Sequence, residues 1–114
     1  MPRTPLRLVG PAAVATGPAT VYTVPAASKT ILRHIHVDNP SGAAVTFTMS
    51  IGASAAGTRL YDAFSIPAQA VGVFTNIIDL WCYYVLEVAE IIQLAAGTNN
   101  ILVIVIDGDV YTLG

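Results

Sequence analysis

Apolar and polar side chains alternate with a period of two along most of the chain. From Thr30 to Asp38, one face carries Ile31, Arg33, Ile35 and Val37, and the other carries Leu32, His34, His36 and Asp38. From Ala43 to Ile51 the alternation is cleaner, with Val45, Phe47, Met49 and Ile51 on the inner face and Thr46, Thr48 and Ser50 on the outer. A two-residue period sends successive side chains to opposite faces, so both segments are predicted to be half-buried strands. Asn39-Pro40-Ser41-Gly42 between them supplies a fixed φ and capping side chains, which predicts a turn. Further strands are predicted at Thr20–Val24, Thr58–Ile66, Val71–Thr75, Asp79–Leu86, Ile91–Ala95, Ile101–Ile106 and Val110–Leu113. Turn residues divide them, with Asp107-Gly108-Asp109 bending the chain between the last two. The one segment that can be drawn as a helix, Leu80–Leu94, begins Leu-Trp-Cys-Tyr-Tyr-Val, a run of aromatics suited to a pleated surface. The pattern therefore predicts an all-β fold, a single-domain antiparallel β-sandwich of jelly-roll type over residues 19–114. Residues 1–18, with prolines at positions 2, 5 and 11, predict an extended N-terminal arm that lies on a neighbouring subunit.

Composition changes the picture at one point. Only 11% of residues are charged while 54% are hydrophobic, and mean hydropathy is +0.67. Ordinary soluble domains carry about 25% charged residues. Dispersed charge keeps a free surface hydrated, so a chain this poor in it is expected to be covered by a membrane or by other protein. No stretch approaches the 18 or more apolar residues of a spanning helix, and an outer-membrane barrel would need about eight long strands that this chain could barely supply. Protein partners are therefore expected, and no membrane. The net charge of −2 gives no reason to expect nucleic acid. The proline-broken N-terminus does not read as a signal peptide, and the lone Cys82 cannot form an internal disulfide.

Candidate chemistry is sparse. His34 and His36 stand two apart on one strand face with Asp38 next to them, a spacing that can present two imidazoles and a carboxylate to one metal ion. A complete site needs a further ligand, and nothing in the spacing of Asp62, Glu87 or Glu90 directs them to this strand, so no metal and no cofactor are expected. The bland reading places the histidines on a solvent or subunit-contact face. Cys82 has no neighbouring cation to activate it, and Ser54 in Gly-Ala-Ser-Ala-Ala-Gly lacks the nucleophile-elbow spacing. That loop has no lysine for phosphate binding either. Glu87 with Glu90, and Asp107 with Asp109, read as turn carboxylates rather than a hydrolytic pair. Trp81 with Tyr61, Tyr83 and Tyr84 could form a sugar platform, but aromatics on strands more often anchor cores and interfaces. The expectation is no enzyme and no small-molecule substrate. Expected contact residues are Arg3 and Arg7 on the arm, the small-residue loop Gly52, Ala53, Ser54, Ala55, Ala56 and Gly57, and Arg59 and Tyr61 beyond it.

Four motifs, YTVPA at Tyr22–Ala26, IHV at Ile35–Val37, SGAA at Ser41–Ala44 and GASAAGTR at Gly52–Arg59, together resemble a group of short tailed-bacteriophage virion structural proteins. The likeness spans residues 22 to 95, about two-thirds of the chain. A later turn in that group often reads Glu-Ala-Gly-Glu, where this chain has Glu87-Val88-Ala89-Glu90, so alanine stands at the glycine's place. The resemblance implies a β-sandwich that decorates or cements a capsid, with itself (as a homotrimer) and the major capsid protein as partners. It also implies a virion location after synthesis in the host cytoplasm. A tail or neck structural protein, or a carbohydrate-binding module for host recognition, is the alternative.

Overall fold

The computed structural model describes residues 3–113. Eight strands are present: β1 (Arg3–Ala13), β2 (Ala19–Thr23), β3 (Ser28–Asp38), β4 (Val45–Ile51), β5 (Arg59–Ile66), β6 (Ile77–Leu86), β7 (Ile91–Ala96) and β8 (Val103–Thr112). They form two four-stranded antiparallel sheets in the orders β1-β8-β3-β6 and β2-β7-β4-β5. Every connection except β4–β5 crosses from one sheet to the other. This is the jelly-roll arrangement, and the all-β antiparallel sandwich expected from the pattern is the fold observed.

The core lies between the sheets. Leu32, Ile35 and Val37 of β3 and Ile104 and Ile106 of β8 face Phe47 and Met49 of β4 and Ile92 and Leu94 of β7, all essentially inaccessible. β3 is the centre of this packing, but its alternation is not continuous. Between Leu32 and His34 the register shifts against both β6 and β8. A bulge of this kind lets two inward residues be three apart rather than two. Leu32 and Ile35 therefore both point inward, whereas unbroken alternation puts them on opposite faces. Arg33, His34, His36 and Asp38 are left outside the core.

Residues 3–13 of the expected arm are extended, but they lie on the chain's own β8 as the edge strand β1, not on a neighbour. Arg3 pairs with Tyr111 and Ala13 with Val103. An edge strand tolerates Pro5 and Pro11 because half of its N–H groups have no ladder partner to lose. Met1 and Pro2 fall outside the described residues. Two further expectations change. Val71–Thr75 is a turn with one isolated bridge, Ala70 to Val73, and Asp107-Gly108-Asp109 runs through the middle of β8 instead of bending the chain. Gly108 is required there, because a β-carbon would collide with the Ile31 carbonyl on β3 and sit 2.9 Å from Leu8 of β1.

The connections gather at two ends. At one end a buried Asn39 knots three segments: its Nδ2 donates to the carbonyls of Ala43 (2.9 Å), Ile66 (3.1 Å) and Pro67 (3.1 Å), and its Oδ1 accepts from Ser41 Oγ (2.8 Å). Asn76 Nδ2 donates to the Asn39 carbonyl at 3.0 Å. At the other end the β6–β7 turn has Ala89 at φ 66°, with the Glu90 N–H donating to the Glu87 carbonyl. A positive φ at the third position is the type II geometry that glycine favours, and the turn adopts it although this chain has alanine there.

Candidate functional site

The histidines expected to share a face do so, but their carboxylate partner is not Asp38. His34 on β3 pairs with Trp81 on β6, and His36 pairs with Asp79. Adjacent strands bring same-face side chains together in these direct and diagonal positions. Asp79 is thus opposite one histidine and diagonal to the other. His34 Nε2 makes a hydrogen bond with Asp79 Oδ1, and His36 Nδ1 lies 3.7 Å from that oxygen. The His34 ring stacks on Trp81, with centroids 4.1 Å apart and planes tilted by 18°. Hydrogen bonding to His34, with a smaller contribution from His36, holds the Asp79 carboxyl below its ordinary value of 3.8. Asp38 instead accepts from Asn76 Nδ2 at 3.0 Å, which ties it to the polar knot at the strand's end. Sequence reading missed Asp79 because it is 45 residues from His34 in the chain, and only the β3–β6 register joins them.

The other candidate residues are dispersed. Arg3 and Arg7 are exposed on β1; Arg7 lines a shallow groove with Pro5, Leu6, Arg33, Asp107, Gly108 and Asp109. Arg33 lies 3.6 Å from the buried Asp109 and 5.3 Å from the Tyr83 ring centre, which gives this half of the Asp107/Asp109 pair a structural partner. The loop from Gly52 to Gly57 caps the β4–β5 hairpin. Its Ser54 N–H donates to Gln93 Oε1 (3.0 Å), and Thr58 Oγ1 closes it by donating to the Ala53 carbonyl (2.7 Å). Ala53, Ala55, Ala56 and Gly57 remain exposed at its tip. Arg59 bonds back to Ser54 Oγ at 3.2 Å and lies 3.5 Å from Asp62. Glu87 lies 3.4 Å from Lys29, and Glu90 caps the Glu87 N–H. Asp62, Glu87 and Glu90 are therefore engaged away from the histidines.

A second surface feature was not anticipated. β5 and β6 are the edge strands of their two sheets, and the long β5–β6 connection joins them along one side of the sandwich. Tyr61 of β5 packs between Phe47 and Phe64, at 5.6 and 5.7 Å. Burial raises its pKa, with Tyr84 and Cys82 of β6 adding to the effect. Exposed apolar side chains on these two edge strands and their connection include Leu60 and Phe64 of β5, Phe74 (81% exposed) between the strands, and Trp81 (74%) and Tyr83 (63%), which stand with Asp79 on the outer face of β6. Unpaired strand edges lined with apolar side chains are a template for association.

Fold and surface together define a jelly-roll sandwich with exposed apolar side chains on its β5 and β6 edges and a compact His–His–Asp cluster on the outer face of β3 and β6. No protein-family model matches the sequence, and no curated protein matches it. Among solved structures, the chain is similar to the crystal structure of the infectious bursal disease virus VP2 subviral particle. The identity is 10% and the TM-score 0.40, over 96% of this chain and 32% of that one. The chain thus spans about a third of that protein's length.

Proposed function

We propose that this chain is a non-enzymatic structural protein of a phage virion, and within that class a capsid decoration (cement) protein. The observation that carries the reading is the exposed apolar side chains on the edge strands β5 and β6 and their connection, on a chain with only 11% charged residues. Such a surface favours a site that protein covers on assembly. In this reading the chain assembles with itself, as a homotrimer, and with the major capsid protein. Its mechanism is buried contact area repeated over many copies, which ties neighbouring capsid subunits together against internal pressure. The resemblance of residues 22–95 to tailed-phage virion proteins supports the same class. A tail or neck position is distinguished by number. Quantitative gels of purified particles are expected to give hundreds of copies; a handful to a dozen would move the protein to the tail or neck, and none would end the virion reading.

A carbohydrate-binding role has one observation in its favour, the outward exposure of Trp81 and Tyr83 on a single strand. Aromatic faces of this kind suit sugar rings. Glycan arrays with Trp81→Ala, Tyr83→Ala and Tyr84→Ala test it, and no binding by the unsubstituted protein removes it.

A further inference from the structure

We propose that His34, His36 and Asp79 form a binding site for a divalent transition-metal ion of the nickel–copper–zinc group. One ligand atom from each of the three lies within 4.8 Å of the others. Around a tetrahedral ion with bonds of about 2.0–2.2 Å, donor atoms are about 3.3–3.5 Å apart. The cluster therefore reaches ligand spacing by small side-chain rotations, with no backbone movement. Its backbone is already fixed, because His36–Asp79 and His34–Trp81 are register pairs of the β3–β6 ladder.

The donor set selects the ion. Two imidazoles with one carboxylate suit nickel, copper and zinc, whereas calcium and magnesium want an all-oxygen shell. Two further observations prepare the site. Asp79 accepts from His34, so its carboxylate is aimed at the point where the imidazoles converge. Stacking on Trp81 restricts the His34 ring to a narrow range of orientations. A metal ion would take the position between His34 Nε2 and Asp79 Oδ1 that their hydrogen bond now occupies. Three protein ligands on an outward face leave at least one coordination position for water or for a group from another molecule. Asp38, the carboxylate nearest in sequence, is outside the site because it is bonded to Asn76.

Trp81 is the chain's single tryptophan and lies against His34, so it reports the site directly. A paramagnetic ion bound there quenches its fluorescence, and nickel avoids copper's oxidation of Cys82. The experiment titrates the full-length, tag-free chain with nickel chloride while following Trp81 emission, then displaces the nickel with zinc. Saturable quenching at one ion per chain, reversed by zinc, is expected. His36→Ala and Asp79→Asn, which leave the His34–Trp81 stack in place, should each weaken binding at least tenfold. Asp38→Asn should stay within about twofold of the unsubstituted protein, since a single lost surface hydrogen bond does not alter the ligands. Linear, non-saturating quenching would overturn the proposal, as would unchanged affinity in both ligand variants or an equal loss in Asp38→Asn. Because binding is read on the isolated chain, the result stands apart from the virion reading.

Discussion

Asn39 is the residue on which the most separate segments depend. It is fully buried, and one amide side chain serves the β3–β4 turn, the end of β5 and the start of the β5–β6 connection. Asn39→Ala would leave the buried Ile66 carbonyl without its donor, at about 1–3 kcal/mol, and would remove the bonds to the part-buried Ala43 and Pro67 carbonyls. We expect a loss of about 2–3 kcal/mol in urea unfolding, with an unchanged m-value. In the sequence Asn39 was readable only as a turn former, because two of its three acceptors, the Ile66 and Pro67 carbonyls, lie 27 and 28 residues away. Cys82 gives the clearest pH dependence at this scale. Burial pushes the thiol above its ordinary value of 9.0, with the Tyr84 backbone bond offsetting part of the effect. The folded chain keeps this proton at a pH where the unfolded chain has lost it. The stabilisation is therefore complete below pH 9.0 and is lost as pH rises through the folded value. Tyr61, raised for the same reason, adds to this loss at still higher pH. Urea midpoints measured from pH 7 to pH 10.5 should fall at the alkaline end, and Cys82→Ala should flatten part of that fall.

Most strands were legible from alternation, because a half-buried sheet writes its period directly into the chain. β4 is the clearest case, apolar at alternate positions against a single core. β3 was legible as a strand but not in its facing. Its bulge between Leu32 and His34 depends on register with β6 and β8, which a single strand's sequence does not contain. β1 was read as an arm because its prolines looked like breakers, and an edge position is what accommodates them. The break expected in β8 at Gly108 has the opposite meaning. Glycine is there because β3 and β1 approach too closely for any side chain. The β6–β7 turn carries its own test. Ala89 at φ 66° occupies a conformation that costs a non-glycine residue about 1–2 kcal/mol. Ala89→Gly relieves that strain, less the extra freedom of glycine when unfolded, so a net gain of about 0.5–1 kcal/mol in thermal unfolding is expected. A loss would mean that the turn does not hold this geometry in solution.

At the scale of the whole molecule, low charge and the exposed apolar edges are one fact seen twice. From a content of only 11% charged residues the sequence led to the expectation of covering by other protein, but not to where. The jelly-roll order makes β5 and β6 both edges, and exposed aromatics stand on these strands and their connection in a body 49 × 29 × 20 Å in extent. The His–Asp cluster was half legible in the same way. The H-x-H spacing named two members, and the pairing of β3 with β6 exchanged Asp38 for Asp79. The proposed role in a virion requires these exposed edges to be occupied. A density map of the assembled phage particle, at a resolution that separates strands, tests this directly. The expected result is a jelly-roll density repeated over the capsid surface with Phe64, Phe74 and Trp81 buried against a neighbouring subunit. A particle without such a density, or one in which these edges of every copy face solvent, would contradict it.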